Sequence, residues 1–139
     1  MDKEIQSIRF FSTAIIATEI LFGGIALYLH KIGHVPIAPG LDPVIGYAGI
    51  IIAAAFISLS FLLFKKRSDA AASAGKKEKM GLFRSAVMLQ YALMNGSAVF
   101  NIIAYLLNGN NQSLIIAACC IIVMLIQFPS EEKYNRFGG

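Results

Sequence analysis

The sequence contains no tryptophan, and only 14% of its 139 residues are charged. The charged residues are unevenly spread, because the stretches from Val44 to Phe64 and from Ser85 to Ser130 contain none. Apolar residues make up 57% of the chain, and the mean hydropathy is +0.67. This composition excludes a soluble enzyme and a disordered tail, and it is typical of an integral membrane protein.

The chain has only two cysteines, Cys119 and Cys120, which excludes a disulfide-stapled secreted domain. Adjacent side chains on a helix point about 100° apart, so we expect small packing residues and no disulfide. His30 and His34 could share a metal with Asp42, but no fourth ligand is evident. No metal site or other cofactor is predicted.

Four apolar stretches reach or approach the roughly 20 residues that a helix needs to cross a membrane. They are Ile8–Leu29, Val44–Phe64, Leu82–Leu107 and Ser113–Phe128. Asp42 and Pro43 are a typical N-cap and first residue for the second stretch, and Pro129 should end the fourth. Short connections join the first to the second and the third to the fourth. The sequence therefore predicts an all-α, polytopic domain of four transmembrane helices, arranged as two hairpins.

Lysine and arginine are strongly biased to one side of these spans. The other side holds only Lys31. The biased side holds eleven: Lys3, Arg9, Lys65, Lys66, Arg67, Lys76, Lys77, Lys79, Arg84, Lys133 and Arg136. The positive-inside rule then places both termini in the cytoplasm, and the bias argues against dual topology.

The loop predicted at 65–81 is basic, and we expect it to be either mobile or a short surface helix. Contact with anionic lipid headgroups accounts for its charge, whereas a nucleic-acid role is not favoured and partner docking is the other interpretation. The six predicted lipid contacts are Lys65, Lys66, Arg67, Lys76, Lys77 and Lys79.

Glu19 lies at the middle of the first span, where a charged carboxylate costs about 2.5 to 3.5 kcal/mol on insertion scales. It must therefore be neutral, paired, or facing protein or water. Helical spacing places it on one stripe of polar and small residues, which favours close approach of another helix. The stripe comprises Ser12, Glu19, Gly23, Ala26 and His30.

The third span has polar residues on two faces. Gln90, Ser97, Asn101 and Asn108 share one face, and Arg84, Tyr91 and Asn95 share another. Such a helix should be central, with a second protomer or subunit covering one face. We expect Glu19 to hydrogen-bond to a polar residue of this span, Asn95 first and Asn101 or Gln90 next.

The second span carries a close-packing face of small residues, formed by Gly46, Gly49, Ala53 and Ser60. Three interpretations of the intramembrane polar residues stay open. They can join helices by hydrogen bonds, form an ion or proton pathway, or bind a lipid, a quinone-like molecule or another small ligand.

Several segments resemble known membrane proteins. Ala17-Thr18-Glu19-Ile20 is similar to the first span of small multidrug resistance transporters, although the membrane tryptophan of that family is missing. The hairpins and a single buried carboxylate resemble the general plan of rotary ATPase proteolipids. The segments 95–110 and 128–133 resemble uncharacterised small four-span bacterial membrane proteins. This last resemblance implies a location in the bacterial inner membrane. It also implies that relatives have an acidic residue at the position that Asn95 occupies here.

These observations favour a non-enzymatic helical-bundle protein that homo-oligomerises or joins a larger membrane complex. The alternative is a small transporter or proton-conducting or ion-conducting subunit that uses Glu19. No catalytic constellation is evident, because Glu19 is the single titratable acid or base in the core of a span.

Cysteine accessibility tests the predicted orientation. We expect an impermeant thiol reagent added outside intact cells to modify Pro39→Cys and to leave Ser73→Cys unmodified, because position 73 lies on the basic side. Modification at position 73 but not at position 39 would mean that the orientation is inverted.

Overall fold

The computed structural model describes residues 2–32, 44–109 and 111–138. Within these ranges the chain is helical and has no strand, which confirms the all-α prediction. The helices are α1 (Asp2–Lys31), α2 (Val44–Ala71), α3 (Lys76–Asn108), α4 (Asn111–Ile126) and the short α5 (Glu131–Arg136). The first three are long and apolar enough to cross a membrane. α4 has 16 residues, so it is about 24 Å long.

Some predicted features lie outside the described residues. These are the connection between the first two spans, the N-cap at Asp42 and Pro43, and His34 with its possible metal. α2 does begin at Val44, where the second span was expected to start.

α3 is the central helix of the bundle. It packs most extensively against α2, next against α4, and least against α1. α4 also contacts both α1 and α2, which leaves these two helices on opposite sides of the α3–α4 pair. The predicted first hairpin is therefore wrong as a packed unit, because α1 and α2 barely touch in the part of the chain that the structure describes.

The tightest helix pair is α2 with α3, and the small-residue face of α2 explains why. Gly46, Gly49 and Ala53 are buried against α3. A Cβ atom at position 49 would collide with Asn101 Oδ1. The Asn101 amide donates to the Gly49 carbonyl oxygen (3.3 Å) and to the Ser97 carbonyl oxygen (2.9 Å). The glycine thus permits both the close approach and the hydrogen bond that joins the helices.

The predicted basic loop is largely helical. α2 continues through Lys65 to Ala71, α3 begins at Lys76, and only residues 72–75 connect them. This turn, the first turns of α1 and the C-terminal segment lie together at one end of the bundle. We call it the basic end and define it as residues 3–9, 64–84 and 127–138.

The basic end has its own aromatic core. Phe64, Phe83, Tyr134 and Phe137 contact one another, with centroids 5.3 Å apart in the Phe64–Phe137, Phe83–Tyr134 and Phe83–Phe137 pairs. The Gly138 amide donates to Ser68 Oγ (2.8 Å). The C-terminal segment is therefore fastened to α2 and α3.

The short helix α5 was not predicted, although its sequence contains the pattern of a helix N-terminus. Ser130 is the N-cap and accepts a hydrogen bond from the Lys133 amide (3.1 Å). Glu131 and Glu132 occupy the first turn, where acidic side chains favour the helix dipole. Ser-Glu-Glu-Lys after Pro129 could have identified the helix.

Two side chains satisfy carbonyl groups at the C-terminal end of α4, where a helix has no internal donors left. Tyr91 Oη donates to the Met124 carbonyl oxygen (2.6 Å). Lys133 Nζ donates to the Gln127 carbonyl oxygen (2.7 Å) and to Gln90 Oε1 (3.2 Å). Burial lowers the pKa of Lys133 to about 8. The Lys133 side chain of α5 therefore links α3 to the end of α4.

The α2–α3 contact can be tested with Gly49→Ala. The added methyl group displaces the Asn101 side chain and breaks its hydrogen bond to α2, so we expect the free energy of unfolding to fall by about 1–3 kcal/mol. Thermal unfolding in detergent measures the change. Gly24→Ala is the control, because a Cβ there has no atom within 4 Å. Equal stability of the two variants would contradict this account of the contact.

Candidate functional site

The predicted stripe on α1 faces the interior of the bundle over part of its length. Ser12, Glu19 and Ala26 are buried, and they are spaced seven residues apart. Gly23 is half-buried, and a Cβ atom added to it would lie 3.8 Å from Cδ1 of Ile102. His30 is exposed at the end of the stripe, with its ring 5.3 Å from that of Tyr105. The predicted stripe is thus the contact face of α1 around Glu19.

The expected hydrogen bond from Glu19 to α3 is wrong. Glu19 is only 1% exposed, yet its Oε2 has no hydrogen-bond partner among the described residues. Asn101 instead donates to backbone oxygens, and Gln90 accepts from Lys133. Asn95 is half-buried and makes no described hydrogen bond to Glu19. The donor of Asn101 is used by carbonyl groups of α2 and of α3 itself, whereas the Gln90 Nε2 donor, like Glu19 Oε2, has no partner among the described residues.

One chain covers the two polar faces of α3 to different extents. Gln90, Tyr91, Ser97 and Asn101 are all buried. Ser97 Oγ lies 3.3 Å from Cys120 Sγ on α4, which gives this half of the cysteine pair a packing role. On the other face Tyr91 is buried, Asn95 is half-buried and Arg84 is exposed, so one chain covers that face only in part.

Glu19 borders a cleft of about 360 Å³ between α1 and α4. α1 contributes Glu19 and residues one, four, five and eight positions later, so the cleft runs along two turns of the helix. α3 contributes Ile102 as the floor. The ten lining residues are Glu19, Ile20, Gly23, Gly24, Leu27, Ile102, Leu114, Ala117, Ala118 and Ile121. We call this the Glu19 cleft.

The Glu19 cleft is lined by one polar side chain and several small residues. Four of the lining residues have small side chains or none: Gly23, Gly24, Ala117 and Ala118. Every lining residue except Glu19 is apolar or glycine. A carboxyl in such surroundings is stable when it is neutral or has a partner. A neutral carboxyl carries one O–H donor and free acceptor capacity. The cleft can therefore bind an apolar, elongated partner that supplies a hydrogen bond at the depth of Glu19.

Other buried polar atoms lack partners among the described residues. They lie on α1, α3 and α4 and comprise Ser12 Oγ, Gln90 Nε2, Asn101 Oδ1, Tyr105 Oη and Ser113 Oγ. Tyr105 was not singled out from the sequence, although it follows Asn101 by one turn and so shares its face. These atoms occur at successive depths along α3, from Gln90 to Tyr105.

The predicted lipid-contact residues have different surroundings. Lys65, Lys66, Lys76 and Lys77 are exposed. Arg67 is half-buried. Lys79 is half-buried as well, and its Nζ lies 4.5 Å from the centroid of the Tyr134 ring. These residues surround the aromatic core of the basic end rather than forming one loop.

Comparison with known proteins gives no family for this chain: no family model, no curated protein and no solved structure matches it. Among the described residues no group of three metal-ligating side chains comes together. The function must therefore be argued from the Glu19 cleft itself.

Replacing the unpaired carboxyl should stabilise the isolated chain. We expect Glu19→Met, measured on monomer diluted in detergent, to raise the free energy of unfolding by about 1–3 kcal/mol, because it removes a buried polar atom that has no partner. Asn101→Leu is the comparison, and it should lower stability because both of its hydrogen bonds are lost. A lower melting temperature for Glu19→Met would show that the carboxyl is paired within one chain.

Proposed function

We propose that this chain is a non-enzymatic subunit of the bacterial inner membrane that assembles with a second copy of itself through the Glu19 cleft. In this proposal α1 to α4 all cross the membrane, and both termini lie in the cytoplasm. The observation that carries the proposal is Glu19, buried on the wall of an apolar cleft, whose Oε2 has no partner in the part of the chain that the structure describes.

The four-span arrangement is supported by charge and by length. The basic end gathers the lysines and arginines of the biased side, whereas Lys31 lies at the opposite end of α1. α4 falls short of the ~30 Å hydrocarbon core, but local thinning of the bilayer or snorkelling of flanking side chains accommodates a few ångströms at modest cost.

The shape of the cleft favours a helix as the occupant. Its walls are two helices, and it follows their direction over two turns, which suits another rod-like element. Glycine and alanine at its edges allow backbones to approach closely, as in membrane helix pairs. Gly24 has nothing within 4 Å of an added Cβ, so the space beside it is open to a neighbour.

A second copy of this chain supplies the missing hydrogen bond. All copies insert in the same orientation when the charge bias is eleven to one, so two copies can be related by an axis along the membrane normal. Glu19 and Gly23 share one face of α1, so the two Glu19 side chains lie at the same depth, and each carboxyl, which is 1% exposed in one chain, reaches its counterpart by turning into the cleft on assembly. Two neutral carboxyls facing each other donate and accept reciprocally.

The test compares Gly24→Leu with Ala55→Leu. A Cβ at position 24 meets no atom within 4 Å, so a leucine there can extend into the cleft, and we expect a folded monomer only, with a melting temperature no lower than that of the unaltered chain diluted to monomer. Position 55 is exposed on α2 and away from the cleft, and its variant should dimerise as the unaltered chain does. Native mass spectrometry from mild detergent and disulfide crosslinking of Ile20→Cys in membranes report the dimer.

Two results would overturn the dimer. One is a 15.0 kDa monomer for the unaltered chain at every concentration with no crosslink at position 20. The other is equal dimerisation of the Gly24→Leu and Ala55→Leu variants. Glu19→Gln should keep the dimer, because an amide also donates and accepts hydrogen bonds.

Transport or proton conduction is the second candidate. The unpartnered polar atoms of Gln90, Asn101, Tyr105 and Ser113 favour it, because they are distributed along the bundle on either side of the Glu19 depth. Proton flux into vesicles containing the chain distinguishes the two functions. A flux that Glu19→Gln abolishes while the dimer persists would support conduction, whereas the assembly function alone predicts no flux.

A further inference from the structure

A second cleft opens at the basic end, where α1, α3 and α5 meet. Its volume is about 600 Å³. α3 forms most of it, and α1 and α5 each contribute one residue. The lining residues are Glu4, Lys76, Lys77, Met80, Gly81, Arg84 and Tyr134.

The charged groups of this cleft are available to a ligand. Lys76, Lys77 and Arg84 are exposed, and no ion pair or hydrogen bond is described for their side chains. Lys77 and Arg84 are seven residues apart on one face of α3, which separates them by about 10 Å along the axis. Glu4 is the one acid on the lining. Three cations against one carboxylate attract an anion.

The floor between the cations is apolar and open. Met80 and Tyr134 are buried there. Gly81 leaves a gap, because a Cβ at this position would meet no atom within 4 Å. Tyr134 is held in place by Lys79 on its ring face and by Phe83 at its edge. An apolar gap between two cations fits a molecule that is anionic at one end and apolar at the other.

We propose that this cleft binds one anionic phospholipid, with the headgroup phosphate between Lys77 and Arg84 and the start of an acyl chain over Gly81 and Met80. Glu4 accepts a hydrogen bond from a hydroxyl of the headgroup. The cleft lies at the end of a helix long enough to cross the membrane, where headgroups are present at high concentration. The site does not depend on dimerisation through the Glu19 cleft, which opens elsewhere.

The apolar floor and the membrane position favour a lipid over free phosphate. Basic pockets beside membrane helices commonly bind lipid phosphates, and buried apolar area adds to that affinity for an acyl chain. Free inorganic phosphate shares only the charge interaction.

The experiment measures phosphatidylglycerol bound to the full chain by native mass spectrometry from mild detergent. The pocket variant is Lys76→Gln/Lys77→Gln/Arg84→Gln. The charge-matched control is Lys65→Gln/Lys66→Gln/Arg67→Gln, which removes the same charge from the same end of the molecule outside the cleft. We expect the pocket variant to weaken lipid binding about tenfold or more, and the control by less than about threefold.

A steric variant tests the site without changing charge. Gly81→Leu fills the gap over the floor and favours the helix, so folding should be preserved while lipid binding falls about tenfold. Ala92→Leu, at an exposed position further along α3, is the matched control and should bind as the unaltered chain does. Melting temperatures confirm that each variant is folded.

Three results would overturn the proposal. Equal losses in the two charge variants would mean that the attraction is diffuse. Unchanged binding in Gly81→Leu would place the lipid elsewhere. Displacement of the lipid by an equimolar amount of inorganic phosphate would assign the cleft to free phosphate instead.

Discussion

The close approach of α2 to α3 at Gly49 is the constraint on which the rest of the bundle depends. A glycine at this position lets the Asn101 amide reach the backbone of the opposite helix. α4 packs against both α1 and α2, so α1 lies on the side of the α3–α4 pair opposite α2. Because α1 and α2 are then far apart, the cleft between α1 and α4 stays unfilled by any helix of the same chain. The position of the Glu19 cleft thus follows from a contact on the far side of the bundle.

Much of the helical architecture could be predicted from the sequence, because long apolar runs and proline boundaries have few alternatives. The start of α2 at Val44 and the burial of Gly46, Gly49 and Ala53 followed from such patterns. The partners of polar side chains could not be predicted. Periodicity gives the face on which Asn101 or Gln90 lies, but not which helix reaches that face first. For that reason the Glu19 pairing was wrong although its burial was expected.

The basic end combines two properties that composition alone does not separate. Its lysines and arginines suggest a solvated loop, yet the aromatic rings beneath them form a packed core. Long cationic side chains cover such rings with their apolar stems and place their charges outward or over the ring face. The Lys133 ammonium lies 4.6 Å from the centroid of the Phe64 ring and also holds the end of α4. The cationic side chains of the basic end therefore contribute to its packing.

The docking of α5 also bears on the order in which the chain is made. Ribosomes deliver α1, α2 and α3 before Lys133 and Phe137 exist, so α3 is complete while Gln90 and Phe83 still lack their final neighbours. Late arrival of the C-terminal segment therefore completes two separate contacts at once: an aromatic core near the membrane surface and a hydrogen bond to Gln90. A newly made chain therefore passes through a form in which the basic end still lacks its aromatic core.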